Sequence, residues 1–188
     1  MDSSILVKEV SSKNELYDFV SFPFKLYKKH PFWVGPIINE ELEVLDKKIN
    51  PVFKNAVSRY YLAFKNGKIV GRIAAIINWI EVKEVKKQKI RFGWFDVIDD
   101  INVTKHLLDK VIEFGKENGL NHIEGPVGFS NMDKAGMLVE GFEELNTMIT
   151  LYNYPYYPKH LEELGYKKLA QWVEYEIKIS SFEDSPEK

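Results

Sequence analysis

The dipeptide Asn66-Gly67 is the feature that most limits how this chain can fold. It joins two apolar segments, 58–65 and 68–80. Asn and Gly both accept the positive φ that a two-residue hairpin turn needs at its central positions. The pattern therefore predicts an antiparallel hairpin. A charged loop at 83–89 and the segment RFGWFDVID at 91–99 predict a third antiparallel strand.

The segments before the hairpin predict one strand and two helices. Alternation of apolar and polar residues predicts a strand at 4–10, and helical periodicity predicts helices at 13–29 and 38–48. Pro23 lies inside the first helix. Because proline lacks an amide hydrogen and clashes with the preceding turn, we expect a kink or two short helices there.

A change of periodicity after the third strand predicts a longer helix. Apolar residues within 101–118 share one helical face, Asp99 or Asp100 is suited to cap its start, and Gly119 to end it. The remaining predictions are a short strand at 121–128 interrupted by Gly125-Pro126, a loop at 129–146, a helix at 155–164 and a strand at 171–179. We expect one domain over 1–180 and a polar tail or truncated linker over 181–188.

Composition excludes several classes of function. The 188 residues include 26 basic and 28 acidic ones, so no general basic field is available for a nucleic acid backbone. Cysteine is absent, which excludes disulfides, thiolate metal sites and a cysteine nucleophile, and no two histidines have metal-ligand spacing. The amino terminus does not resemble a signal peptide, and the longest apolar stretch, 69–80, is too short for a membrane span and contains Arg72. We expect a cytoplasmic protein with no metal, no nucleic acid partner and no membrane span.

The predicted order of elements is similar to the acyl-CoA N-acyltransferase fold of the GNAT superfamily. NGKIVGRIAAI resembles the second hairpin of that fold, and HLEELGYKK resembles its penultimate helix and following turn. The chain also resembles, more closely, an uncharacterised bacterial family of usually longer, two-part proteins in that superfamily. This resemblance is carried by the segments FPFKLYKKHPFWVGP, VGRIAAIIN, FGWFDVIDD, IEGPVGFSNMDKAGMLVEGF and YNYPYYPKHLEELGYKK. The resemblance implies an α/β (α+β) fold with a mixed, mostly antiparallel central sheet flanked by helices.

The resemblance also implies a reaction and its participants. An amine, here a small molecule, would attack acetyl-CoA or a longer acyl-CoA directly, and no metal would be needed. The superfamily places a general base near the fourth strand, where this chain offers Asp96, with Glu124 on the next strand. Outward-facing strand residues are the alternative interpretation of both. The usual tyrosine acid is replaced by Leu161, so Tyr156 is the candidate acid.

The same resemblance implies where coenzyme A and the substrate would lie. Candidate cofactor-binding residues lie in the fourth strand, at 91–99, and at the start of the helix after it. They are Trp94, Val97, Ile101, Asn102, Val103 and Thr104. Asp99 and Asp100 stand where the superfamily has a glycine-rich pyrophosphate turn; as helix caps they are well suited. Candidate substrate-pocket residues are Ser130, Asn131 and Tyr157, with a tight turn as the alternative for 125–131. We expect the main pocket between strands 91–99 and 121–128, lined by Trp94, Asp96, Glu124, Asn131 and Tyr156.

Two functions of different classes remain open from the sequence. The first is an acyl-CoA-dependent N-acyltransferase acting on an unidentified amine. The second is a catalytically degenerate GNAT-like domain that serves as the binding or docking half of a larger protein. Both leave room for a second domain or a homo-oligomer as partner.

Overall fold

The computed structural model describes residues 4–130, 132–146, 150–175 and 177. The elements in chain order are β1 (Ile5–Glu9), α1 (Lys13–Leu26), α2 (Ile38–Leu45), a 3-10 turn (Pro51–Lys54), β2 (Ala56–Lys65), β3 (Lys68–Asn78), α3 (Trp79–Lys83), β4 (Lys89–Val97), α4 (Ile101–Glu117), β5 (His122–Glu124) and α5 (Tyr156–Glu163). This order confirms most of the predicted elements.

The strands form one sheet in the order β1-β2-β3-β4-β5. All neighbouring pairs are antiparallel except β4 and β5, which are parallel over the three positions from Lys89 and His122 onward. The predicted hairpin is confirmed, because Asn66 and Gly67 have φ values of 52° and 73° between β2 and β3. The sheet is thus mixed and mostly antiparallel, as the sequence predicted.

Helices cover both faces of this sheet. The apolar face of α4, including Val103, Leu107 and Val111, packs in one core with Ile73 and Phe92. A second core on the opposite face joins α1 and α2 to β2 and β3. The prediction of a helix over 101–118 is confirmed, with Asp100 as its N-cap and Gly119 in a left-handed conformation at its end.

A bulge in β4 decides which residues face which helix. The register with β3 shifts between the Arg72 and Ala74 pairings, and Trp94 has a φ of 45°. Phe92 and Phe95 consequently both lie in the core under α4, while Trp94 packs in the core under α1 and α2. The bulge therefore breaks simple alternation at the end of β4.

Pro23 does not divide the first helix into two short helices, one of the two outcomes that we expected. α1 is continuous from Lys13 to Leu26. The missing proline amide would have paired with the carbonyl of Phe19, four residues earlier. That carbonyl instead accepts a hydrogen bond of 2.9 Å from Nη1 of Arg72 on β3. A distant side chain thus supplies the donor that the helix lacks.

Three further predictions are corrected by the structure. α2 ends at Leu45 instead of residue 48. The strand expected over 68–80 ends at Asn78, which caps the short helix α3; the apolar pattern did not predict this helix. The predicted strand at 171–179 is not formed over 171–175, where Trp172, Val173 and Tyr175 are exposed; a strand needs a paired neighbour, and these residues have no regular secondary structure. Residues 176, 178, 179 and the predicted tail at 181–188 lie outside the described residues.

Candidate active site at the end of β4

Asp96 lies in a buried ion pair near the end of β4. Its Oδ2 atom is 2.7 Å from both Nε and Nη2 of Arg72, and its Oδ1 atom accepts a hydrogen bond of 3.0 Å from the hydroxyl of Tyr27. Asp96 is 8% exposed and Arg72 6%. The outward-facing interpretation of Asp96 is therefore wrong, because the bulge at Trp94 turns this carboxylate toward α1.

Two tyrosines connect the Asp96 carboxylate to the backbone of Val97. The amide of Val97 donates to the hydroxyl oxygen of Tyr157 at 2.9 Å, and the hydroxyls of Tyr157 and Tyr27 are 2.9 Å apart. Because Tyr27 donates its proton to Asp96, Tyr157 must be the donor in the bond between the two hydroxyls. The hydrogen bonds thus run in one direction, from Val97 through Tyr157 and Tyr27 to Asp96.

Burial keeps both of these tyrosines protonated. The pKa of Tyr27 and that of Tyr157 lie well above the ordinary value, first because burial disfavours the phenolate and then because the negative charge of Asp96 is nearby. Both side chains are 1% exposed. The two hydroxyls are therefore proton donors at neutral pH and not anionic bases.

The carbonyl of Val97 is also occupied. It accepts a hydrogen bond of 2.7 Å from the hydroxyl of Tyr156, the first residue of α5. Tyr156 and Tyr157 together take both backbone polar groups of Val97 on the side where β5 has already left the sheet. Both backbone hydrogen-bonding groups of Val97 are thus occupied by side chains of α5.

The start of α4 is organised by Asp100. Its side chain accepts the amide hydrogen of Asn102 at 3.0 Å, and its backbone carbonyl accepts those of Val103 and Thr104. The ammonium of Lys65 lies 2.7 Å from Oδ2 of Asp100. Burial alone would raise the pKa of Asp100, but the hydrogen bonds from Lys65 and Asn102 outweigh it and hold this pKa below its ordinary value. Of the four candidate cofactor-binding residues at this helix start, three, Asn102, Val103 and Thr104, therefore have amides that are already paired with Asp100.

His160 joins α5 to the same helix start. Its Nδ1 atom is 2.9 Å from the hydroxyl of Thr104, and its Nε2 atom is 3.2 Å from a carboxylate oxygen of Asp99. Thr104 is fully buried, so its hydroxyl is not open to a ligand. This contact fixes α5 against α4 and places Tyr156 beside Val97.

An open cleft of about 470 Å³ lies next to Tyr156. Its lining residues are Asp99, Asp100, Ile101, Tyr156, Lys159, His160 and Glu163. The cleft therefore brings together Tyr156 and Ile101, two of the residues predicted from the sequence. A second open cleft, of about 690 Å³, is lined by Tyr17, Asp18, Ser21, Phe24, Lys25, Lys28 and Ile38.

The pocket predicted between β4 and the strand at 121–128 is not assembled as expected. Glu124 pairs with Lys89 at the opposite end of β4, at 2.8 Å, and Trp94 donates to Glu41 of α2 at 2.6 Å. The chain after β5 stays against β4, because the amide of Val127 donates to the carbonyl of Phe92 at 2.8 Å. The predicted lining residues Trp94, Asp96, Glu124 and Tyr156 are thus distributed over separate contacts.

The candidate substrate residue Ser130 belongs to a turn. Its amide donates to the carboxylate of Asp133 at 2.8 Å, and its hydroxyl accepts from the amide of Met132. This arrangement supports the tight-turn interpretation of the segment. Asn131 lies outside the described residues. Tyr157, the third candidate, lies in the hydrogen-bonded chain behind Val97.

Sequence reasoning missed Tyr27, Lys65 and the pairing role of Arg72. Arg72 carried a usable signal, because an arginine inside an otherwise apolar strand requires a buried partner. Tyr27 and Lys65 carried none, since their partners Asp96 and Asp100 are 69 and 35 residues away. Within the described ranges, no group of three or more acidic or histidine side chains is arranged to hold a metal ion.

No known protein-family model matches the chain. Among solved structures, it superposes on a predicted acetyltransferase of Clostridium acetobutylicum with acetyl-CoA, with a TM-score of 0.53 and 12% identity over 92% of this chain and 96% of the other. The aminoglycoside N-acetyltransferase AAC(6')-Iy in complex with CoA gives a TM-score of 0.52 and 12% identity, over 95% and 97% of the two chains. The chain therefore has the GNAT-like fold of acyl-CoA N-acyltransferases.

Sequence relatives are more similar but considerably longer. Protein YghO of Escherichia coli K12 is 34% identical over 90% of this chain and 44% of its own length. Bacterial ceramide synthase of Caulobacter vibrioides is 29% identical over 99% of this chain and 48% of its own. The chain thus spans about half the length of these curated relatives. None of the described helices has the length and apolar character needed to cross a bilayer.

Proposed function

We propose that this chain is an acyl-CoA-dependent N-acyltransferase domain that acts on an amine. The observation that supports this proposal best is the edge of β4. Its parallel pairing with β5 ends at Arg91, and its last residue, Val97, lies four residues before the start of α4. The superposed Clostridium structure has the same fold and contains acetyl-CoA. The proposed co-substrate is accordingly acetyl-CoA or a longer acyl-CoA.

In the proposed reaction the amine nitrogen attacks the thioester carbon. The nitrogen–carbon bond forms, the carbon–sulfur bond breaks and the CoA thiolate leaves. The proton lost by nitrogen passes to Tyr157, whose own proton moves to Tyr27, and the proton of Tyr27 moves to Asp96. The last two transfers follow hydrogen bonds of 2.9 Å, between Tyr157 and Tyr27, and 3.0 Å, between Tyr27 and Asp96. Glu124 has no part in this proposal because it is paired with Lys89 at the other end of β4.

The acyl length and the amine are suggested only by the relatives. The Caulobacter relative carries the name ceramide synthase. A ceramide is an amide of a fatty acid and a long-chain amine, so a long-chain acyl-CoA belongs beside acetyl-CoA in any test. One superposed structure is an aminoglycoside acetyltransferase in complex with sisomicin, which is also an amine.

A degenerate domain that serves as a docking half is the second candidate. Specific observations favour it: Asp99 and Asp100 place carboxylates where a polyanion would bind, and Val97 is closed by tyrosines. The length of the curated relatives is compatible with a second half of similar size. In this case the cleft beside Tyr156 would not bind a thioester.

Titration of the purified chain separates the two candidates. If the chain is an acyltransferase, calorimetry should show saturable binding of acetyl-CoA and of palmitoyl-CoA below its micellar concentration. A comparison of the affinities for CoA and dephospho-CoA tests the contribution of the 3'-phosphate. Lack of binding by every CoA compound would remove the acyltransferase proposal and favour the docking half. Binding followed by thiol release with a mixture of small and long-chain amines would identify the acceptor class.

A further inference from the structure

Val97 has an unusual environment for the last residue of a strand. On one side it is paired with Gly71 of β3, and its opposite side faces α5. A neighbouring strand or an extended ligand would bind this edge through the amide and the carbonyl of Val97. Here the hydroxyls of Tyr157 and Tyr156 take these two positions, at 2.9 and 2.7 Å.

The two tyrosines differ in how firmly they are held. The hydroxyl of Tyr157 also bonds to Tyr27, and its ring is 1% exposed and in contact with Phe95. Tyr156 is only partly buried, its ring lines the open cleft of about 470 Å³, and its hydroxyl donates to Val97. The ring of Tyr156 also packs on three neighbouring rings, those of Tyr154, Tyr157 and His160, but it borders the cleft, whereas the ring of Tyr157 belongs to the buried core.

We propose that Tyr156 is a latch: its hydroxyl occupies the Val97 carbonyl and must leave it before an acyl-CoA can pair with β4. This inference rests on the proposed function, because it concerns the same edge of β4. The neighbouring Tyr154 is a matched reference, since its ring stacks on Tyr156 with centroids 5.5 Å apart and its hydroxyl donates to Leu26 instead. The latch makes ligand binding weaker than the open edge alone would allow.

Tyr156→Phe tests the latch because it removes the competing hydroxyl and keeps the ring. The loss of one neutral hydrogen bond that competes with the ligand should tighten binding of acetyl-CoA roughly fivefold in calorimetry. Tyr154→Phe should change the affinity less than about twofold by the same reasoning. If the wild type binds acetyl-CoA and Tyr156→Phe binds it with equal or lower affinity, the latch is overturned.

A measurement without ligand keeps the two proposals separable. In the wild type, the Val97 carbonyl carbon should show the downfield resonance of a hydrogen-bonded carbonyl, and it should move upfield in Tyr156→Phe but stay in place in Tyr154→Phe. An unchanged resonance in Tyr156→Phe would show that the contact is not made and would reject the latch. If the resonance moves as expected but neither protein binds any CoA compound, the proposed function fails while the contact of Tyr156 with Val97 stands.

Discussion

Replacing Arg72 by methionine should be among the most destabilising single changes in this chain. Arg72 is 6% exposed, and its guanidinium makes hydrogen bonds to the Asp96 carboxylate and to the carbonyl of Phe19. Methionine fills much of the volume but leaves the buried carboxylate without a cation and the Phe19 carbonyl without its donor. Removal of one partner from a buried ion pair costs about 3–5 kcal/mol. Urea unfolding followed by tryptophan fluorescence at pH 7 measures this loss.

Two comparisons isolate the cause. Arg59→Met makes the same substitution at an ion pair with Glu117 whose side chains are 34% and 44% exposed, so it should cost less than about 1 kcal/mol. The double variant Arg72→Met with Asp96→Leu removes both buried charges and should recover much of the stability. If Arg72→Met costs no more than Arg59→Met, or if the double variant is less stable than Arg72→Met alone, the buried-charge reasoning is wrong.

Three further predictions concern the proposed site. Asp100→Gly should tighten binding of acetyl-CoA, because it removes a carboxylate, releases Lys65 and keeps a tolerated cap; unchanged or weaker calorimetric affinity would place the ligand elsewhere. Asp96→Asn should abolish acyl transfer and leave acyl-CoA affinity nearly intact, and normal turnover would exclude Asp96 as proton acceptor. The raised pKa of Tyr157 means that its contribution to stability is complete below the unfolded-state pKa of about 10 and is lost as the pH rises beyond it. Urea titrations across that range should therefore show a steeper alkaline loss for the wild type than for Tyr157→Phe, and equal slopes would contradict this.

Several elements could be predicted because their determinants are local. The hairpin depends on two adjacent residues, Asn66 and Gly67, that accept positive φ. The helix α4 depends on a cap at Asp100, a stop at Gly119 and apolar residues repeated with helical spacing between them. These signals act over a few residues, so the sequence alone indicated the hairpin and the helix, and the resemblance to the GNAT superfamily added the mixed, mostly antiparallel sheet.

The candidate site depends on contacts that no local pattern contains. The sequence indicates Asp96 as a candidate base, and the tertiary structure decides that the bulge at Trp94 turns it toward α1 and buries it against Arg72. Glu124 was selected on the same grounds and proved to lie in a different ion pair, because parallel pairing places it beside Arg91 at the far end of β4. Strand register and twist, which are set by the whole sheet, decide such placements.

The sequence by itself determined the hairpin, the capped helix and the absence of cysteine chemistry, because each is written in adjacent or periodically spaced residues. Only the tertiary structure decided that Pro23 lies within an unbroken helix, since the donor that replaces its missing hydrogen bond comes from Arg72 on β3. It likewise decided that Val97 is closed by Tyr156 and Tyr157, about 60 residues away along the chain. Buried polar groups must find partners wherever the fold supplies them, and that requirement is satisfied only after the elements have packed.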